Sequence, residues 1–342
     1  MTGTAPAPRG SAEPLDTAYD VALLDLDGTV YLSGAAIPGA AEALRKAGAS
    51  GMRLAYVTNN ASRTPAAIAA LLTGFGVPAA VQDVVTSAQA AARMLAERLP
   101  AGAPVLVVGG SGLRMALRER GLRPVSTAAD QPRAVVQGYS PDITYSLLEQ
   151  GGLAVAAGAL FVASNADLTL PTRHGAAPGN GSYIQVIATA TGVRPLVAGK
   201  PEAPLHHESV LRTGAKRPLV VGDRLDTDIE SAQRVGADSL LVLTGVTSPA
   251  EAVLAPPLQR PTYLAEDLTG LLESHPAVTS QDGAFGCGGW TARRDGDRLE
   301  LTGAGERIDG LRALCAAAWA ATEGSPTRES VRSAIQRLYH TR

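Results

Sequence analysis

The chain has 342 residues, 45% apolar, 18% charged and 4% aromatic, with a formal net charge of −2. This length accommodates two domains and a smaller piece, and the near-neutral balance without charge blocks excludes a broad basic face for nucleic acid. No run of eighteen apolar residues occurs, so a helical membrane span is not expected, and Cys287 and Cys315 lack the spacing of a zinc site or disulfide framework.

Residues 1–17 are rich in Ala, Pro, Gly and Thr and lack the apolar core of a signal peptide, so a disordered tail and a cytoplasmic chain are expected. Strand-like and helix-like segments then alternate, as a doubly wound parallel sheet requires. Strand Val21–Leu26 leads to helix Pro38–Ala47, strand Arg53–Thr58 and helix Pro65–Leu72. Strand Val84–Thr86 and helix Ala88–Leu99 follow. A second alternation runs through strand Val105–Val108, helix Leu113–Arg120, strand Ala134–Gln137, helix Ile143–Gln150 and strand Leu160–Ala163. Residues 165–182 read as a long loop from their Asn, Asp, Pro and Gly content. Helix Tyr183–Thr191 precedes strands Leu196–Ala198, Leu219–Val221 and Leu240–Leu243, with helices between them, and helix Ala265–Leu272 closes the series. Beyond about residue 276 a hairpin over Gly286–Arg294 and Arg298–Leu301 and two helices, Leu311–Ala321 and Arg328–Tyr339, are expected.

Four polar segments stand at the carboxyl ends of strands: Asp25-Leu-Asp-Gly-Thr29, Thr58-Asn-Asn60, Gly199-Lys-Pro201, and Gly222-Asp223 with Asp226 and Asp228 behind it. Such ends converge on one crevice in open α/β sheets. Carboxylates one residue apart repel unless a cation or proton lies between them, and oxygen ligands suit Mg²⁺. Lysine and threonine suit phosphate oxygens, so the set implies phosphoryl transfer. Each segment also has a plainer reading: Asp25 and Asp27 as a turn pair, Asn59-Asn60 as turn material, Asp226 as a helix cap, and His206 and His207 as solvated side chains. Lys200 resists that reading, because it is one of three lysines among thirty basic residues and directly follows an apolar strand.

The string Asp25–Tyr31, then Val57-Thr-Asn-Asn-Ala-Ser-Arg63, Gly199-Lys-Pro-Glu202 and Gly222-Asp-Arg-Leu-Asp-Thr-Asp228 resemble the four motifs of the haloacid dehalogenase (HAD) superfamily. Within it they are similar to the subgroup with a large α/β cap, over roughly residues 18–273. The resemblance implies a Rossmann-like α/β core with an inserted α/β cap and a small α+β extension. The core covers 18–83 and 197–275, the cap 84–196 and the extension 276–342. It implies Asp25 as nucleophile, Asp27 as acid and base, and Thr58 and Lys200 on phosphoryl oxygens. Mg²⁺ would be held by Asp25, the Asp27 carbonyl and Asp223, supported by Asp228. Gly28, Asn59 and Asn60 would border the bound ester. In the cap, Asn165, Asp167, Arg173 and His174 are candidates for contacts to the alcohol portion.

Residues 277–342 resemble the acetyltransferase-like extension of actinobacterial glycerol-3-phosphate phosphatases. Gly303-Ala-Gly305 suggests a coenzyme A loop, but Glu300 stands where a basic residue or Gln is usual, so a structural or dimer-forming role is expected. Glycerol 3-phosphate is the expected substrate, with phosphoglycolate, sugar and pyridoxal phosphates as alternatives. A non-catalytic regulator binding a phosphometabolite is the reading of another class, and a homodimer without nucleic-acid or membrane partners is the expected assembly. The presence of both Asp25 and Asp27 argues against the regulator.

Overall fold

The computed structural model describes residues 7–172, 175–320 and 324–340. They fall into two compact units, Met1–Leu54 with Ala215–Arg342, and Ala55–Gly214, so the second unit is inserted in the sequence of the first.

In the first unit, strands Tyr263–Ala265, Asp238–Val242, Pro218–Gly222 and Val21–Leu24 lie side by side in that order, all parallel. Their central residues are buried without alternation, the pattern of strands covered on both faces. Arg53 begins the next strand, its N–H donating to the carbonyl of Asp20 at 3.0 Å. Helix Ala40–Ala49 buries Ala40, Ala43, Leu44 and Ala47, the i, i+3, i+4, i+7 stripe that a 3.6-residue period places on one face.

The C-terminal residues of this unit form a four-stranded antiparallel sheet, Thr279–Gln281, Ala284–Cys287, Trp290–Asp295 and Arg298–Gly303, in chain order. The expected hairpin is its last pair. Helix Arg307–Trp319 packs on the strands Ala284–Cys287 and Trp290–Asp295, and helix Arg328–His340 packs on Arg298–Gly303. Trp290 and Trp319 share one apolar cluster with Leu225, Ile229, Leu241, Val253 and Leu264. Burying such large aromatic surfaces is worth several kcal/mol and ties the extension to the parallel-sheet elements of the same unit. The buried Arg312 adds polar links, donating to the carbonyl of Leu264 at 2.6 Å and meeting Nδ1 of His275 at 2.9 Å.

The second unit holds the parallel pair formed by Tyr56–Thr58 and Val84–Thr86, and a five-stranded parallel sheet. The order in that sheet is Leu196–Val197, Leu160–Ala163, Ala134–Gln137, Pro104–Val108, Arg123–Val125. Its core is Leu106, Val108, Val135 and Phe161 against Ile184 and Ile187 of helix Asn180–Thr191. Helix Ser87–Ala96 starts in a capping box, Thr86 accepting from the Gln89 N–H and Gln89 accepting from the Thr86 N–H.

Three expectations change, and one short strand was missed. The tail expected over residues 1–17 is built into the first unit from residue 7 on. Arg9 pairs with Asp238, the Ser11 N–H donates to the His275 carbonyl at 2.8 Å, and Leu15 is fully buried. Backbone pairing needs no apolar pattern, which is why composition missed it; residues 1–6 lie outside the described residues. The 165–182 loop contains an antiparallel hairpin, Thr169–Thr172 with Gly175–Pro178. The expected helix Ala265–Leu272 is the end of strand Tyr263–Ala265 followed by a single 3-10 turn, Leu268–Leu271, capped by the Asp267 carboxylate. The short strand Arg123–Val125, with Pro124 at its centre, was too brief for a periodic signal.

Candidate active site

In the first unit, strand Val21–Leu24 carries the backbone forward until the Asp25 N–H donates to the Val221 carbonyl at 2.8 Å. The chain then turns: Gly28 has φ +88°, where only glycine is unstrained, and its N–H donates to the Tyr31 carbonyl at 2.7 Å. The strand ends at Leu24, two residues before the expected Leu26, so Asp25 and Asp27 both lie past its end. Asp25 is partly buried, whereas Asp27 is exposed and accepts from the Tyr31 hydroxyl at 3.1 Å.

Asp223 and Asp228 are buried, at 0% and 1% exposure. Asp223 follows strand Pro218–Gly222 and accepts from the Val246 N–H at 2.6 Å and the Thr29 hydroxyl at 3.4 Å. Asp228 lies in the turn Leu225–Ile229 and accepts from the Arg224 N–H at 3.2 Å. Carboxylate oxygens of Asp25, Asp223 and Asp228 all lie within 4.8 Å of one another. Glycines make the room for them. A Cβ on Gly28 or Gly245 would run into the Asp223 carboxylate, and one on Gly222 would run into Asp228. Three crowded carboxylates, two of them buried, form an all-oxygen donor set that fits a hard divalent cation such as Mg²⁺.

In the second unit, the end of the strand Arg53–Thr58 brings Thr58, Asn59 and Asn60 to a tight loop. The buried Thr58 hydroxyl accepts from the Asn60 N–H at 3.1 Å. Asn60 Oδ1 takes the Ser62 N–H and hydroxyl, both at 2.9 Å, and the Arg63 N–H at 3.2 Å, so its side chain shapes the loop. The Asn59 amide reaches the Lys200 backbone, accepting its N–H at 2.8 Å and donating to its carbonyl at 3.1 Å. Lys200 is 6% exposed, and its ammonium donates to the Val57 carbonyl at 3.3 Å. Asp167 accepts from Asn59 at 3.1 Å and from Asn165 at 2.6 Å. Asn59, Asn165, Asp167 and Lys200 are therefore one connected group. Arg173 and His174 lie outside the described residues.

Asp226 is not the expected helix cap: its exposed carboxylate pairs with Arg224 two residues earlier, at 2.8 and 3.0 Å. A nearby guanidinium competes better for it than the first-turn N–H groups, and the turn has no side-chain cap. His206, expected in solvent, is partly buried; burial and the neighbouring charge of His207 push it down to about 4. The segment Thr244–Thr247 went unnoticed in the sequence. Besides the Val246 bond, Thr244 donates to the Gly28 carbonyl at 2.6 Å and the Thr247 N–H to the Asp223 carbonyl at 3.2 Å. Its signal is a fifth polar stretch after an apolar run, Leu240–Leu243 followed by Thr-Gly.

Known proteins resemble the chain over nearly its whole length. Residues 22–123 match the model of the haloacid dehalogenase-like hydrolases, and residues 197–271 match a second, HAD-hydrolase-like model. The D-glycerol 3-phosphate phosphatase of Mycobacterium tuberculosis is 44% identical over 333 residues, 93% of this chain and 94% of that protein. The chain belongs to the haloacid dehalogenase-like hydrolases, among their phosphatases. Its fold is the Rossmann-like core of that family with an α/β cap. The solved structure of a glycerol phosphate phosphatase from Mycobacterium tuberculosis in complex with magnesium superimposes with a TM-score of 0.86 at 42% identity, covering 95% of this chain and 99% of that one. The 5'-nucleotidase YutF of Bacillus subtilis is 38% identical over 253 residues, 73% of this chain and 96% of its own length. Residues 287–338 of this phosphatase match a GCN5-related N-acetyltransferase-like domain. The Mycobacterium tuberculosis structure is solved with magnesium, and among the described residues the carboxylates of Asp25, Asp223 and Asp228 form a donor set that fits this ion.

Proposed function

We propose that this phosphatase hydrolyses glycerol 3-phosphate through a covalent aspartyl-phosphate, with Mg²⁺ required. The observation that carries the reading is the cluster of Asp25, Asp223 and Asp228. One of its acids, Asp25, stands just past the end of strand Val21–Leu24, at the carboxyl edge where ligands bind in open α/β sheets. Asp25 attacks phosphorus and forms the new P–O bond as the P–O bond to the alcohol breaks. Asp27 gives its proton to the departing alkoxide and later takes one from the water that cleaves the intermediate. The exposed side of the turn suits that exchange, since Asp27 must reach water between the two steps. Thr58 and Lys200 hold the phosphoryl oxygens, with Gly28, Asn59 and Asn60 bordering the ester. Asp25, the Asp27 carbonyl and Asp223 would hold the metal, which supplies positive charge to offset that on the phosphoryl group; Asp228 supports them.

We assign residues 84–196 to the cap, which excludes water and supplies contacts to the alcohol. Glycerol 3-phosphate is favoured over other small esters by the relative that matches through the C-terminal extension as well as the core. A panel of phosphate esters with purified protein tests the reading. Glycerol 3-phosphate should give the highest kcat/KM, EDTA should abolish turnover and Mg²⁺ should restore it. Another ester in first place would displace the substrate, and turnover surviving EDTA would displace the metal.

A further inference from the structure

The group around Lys200 contains a connection that the proposed chemistry does not use. Asn59 grips the Lys200 peptide on both sides, its Oδ1 on the N–H at 2.8 Å and its Nδ2 on the carbonyl at 3.1 Å. The grip demands close approach. A Cβ on the preceding residue, Gly199, would lie 2.5 Å from Asn59 Oδ1 and 2.5 Å from the Ser164 carbonyl oxygen. An amide can make this double contact in one orientation only, since a flip would set like groups against each other. Asp167 selects that orientation. Its Oδ2 accepts hydrogen bonds from Asn59 Nδ2 at 3.1 Å and from Asn165 Nδ2 at 2.6 Å. Asn165 is itself held, accepting from the Ser164 hydroxyl at 3.0 Å through Oδ1 and from Asn180 at 2.7 Å through its carbonyl. The chain of contacts thus runs from the start of helix Asn180–Thr191, through Asn165, Asp167 and Asn59, to the backbone of Lys200.

We infer that Asn59 and Asp167 are positioning residues that fix where the Lys200 ammonium stands, and that Asp167 acts on the phosphoryl group only through it. The inference rests on the proposed role of Lys200. It gives Asp167 a different task from the leaving-group contact considered on the sequence: its Oδ2 is already shared between two amides. Lysine carries a point charge on a flexible stem, so its value at a phosphoryl oxygen depends on a fixed backbone origin.

The test uses the full chain with saturating Mg²⁺ and two esters of unlike alcohol, p-nitrophenyl phosphate and glycerol 3-phosphate. Variants are Asp167→Ala, Asp167→Asn, Lys200→Ala and Asp167→Ala with Lys200→Ala. Losing a hydrogen bond to a charged group predicts that Asp167→Ala lowers kcat/KM about 10- to 100-fold, mostly in kcat. The factor should be equal for both esters, because Lys200 meets the portion they share. Asp167→Asn keeps an acceptor oxygen and should recover most of the rate. In the Lys200→Ala background the Asp167 change should cost nothing more, as residues acting as one unit are not additive. Unequal factors for the two esters would instead make Asp167 a leaving-group contact, and full additivity would make it independent of Lys200. Either overturns the inference, as does an Asp167→Ala enzyme of undiminished rate. A harmless Lys200→Ala would sink the role of Lys200 itself, which is a separate outcome. If Asp167→Ala does not fold, Asn59→Ser carries the same comparison.

Discussion

Gly245→Ala adds one methyl group to the acid cluster and removes no titratable group. The φ of Gly245 is not in the left-handed region, so the added Cβ brings no backbone strain and the effect is steric. That Cβ would overlap Asp223 Oδ2 and lie 2.5 Å from Asp223 Cγ and 2.8 Å from Gly28 Cα, against 3.4 Å or more for an ordinary contact. Asp223 has no slack behind it, being fully buried and bonded to the Val246 N–H at 2.6 Å. Its carboxylate must retreat by about 1 Å, which is large beside the ~2.1 Å ligand distance that Mg²⁺ demands. Displacing one ligand predicts a loss of Mg²⁺ affinity on the order of 10- to 100-fold, and overpacking costs about 1–3 kcal/mol of stability. The assay is the Mg²⁺ dependence of p-nitrophenyl phosphate hydrolysis, with calorimetric titration of Mg²⁺ into the variant. Half-saturation should move to higher Mg²⁺ while the rate at saturating metal recovers in part. An unchanged half-saturation would refute the claim that Gly245 makes room for a metal ligand.

Glu208 is fully buried and binds Arg93, Arg120 and Arg212, each 27–28% exposed. Burial alone would push its carboxyl up, but hydrogen bonds and charge from these arginines outweigh burial and hold it low. Glu208→Ala should cost ~3 kcal/mol, the low end for breaking a buried pair because each guanidinium can turn to water. In a cooperative unit the size of Ala55–Gly214 that lowers the thermal midpoint by about 6–12 °C; a shift within error would contradict it. His206 has a folded value of about 4, below its ordinary 6.5, so the unfolded chain binds more protons between these pH values. The neutral ring's contribution is present above pH 6.5 and is lost as pH falls toward 4. His206→Gln should flatten the urea midpoint over that window, and a slope equal to that of wild type would count against it.

Much of the fold was legible because several strands are apolar runs buried on both faces. Arg53–Thr58, Val84–Thr86, Ala134–Gln137 and Leu160–Ala163 have the bounds that their composition predicts. The hairpin Thr169–Thr172 with Gly175–Pro178 was hidden because Pro and Gly normally mark loops, yet they are tolerated in a two-stranded ribbon that is all edge. The N-terminal segment was hidden because backbone hydrogen bonds, one ion pair and the single buried Leu15 hold it, and these leave no periodic pattern in side chains. The acids at strand ends were legible because the α/β topology brings such ends together. Gly245 and Gly222 were not, because a glycine that provides space is defined by the side chain it faces, and that side chain belongs to another segment. Asp226 shows the same limit: capping competes with a guanidinium two residues away, and geometry decides between them.

The most direct measurement is phosphate release from glycerol 3-phosphate, in Mg²⁺, by the wild-type enzyme and by Asp25→Asn with its fold checked by circular dichroism. An amide cannot attack phosphorus, so the variant should lose at least about a thousandfold in kcat while the wild type turns over. A folded Asp25→Asn enzyme that releases phosphate at a rate near wild type would contradict the account.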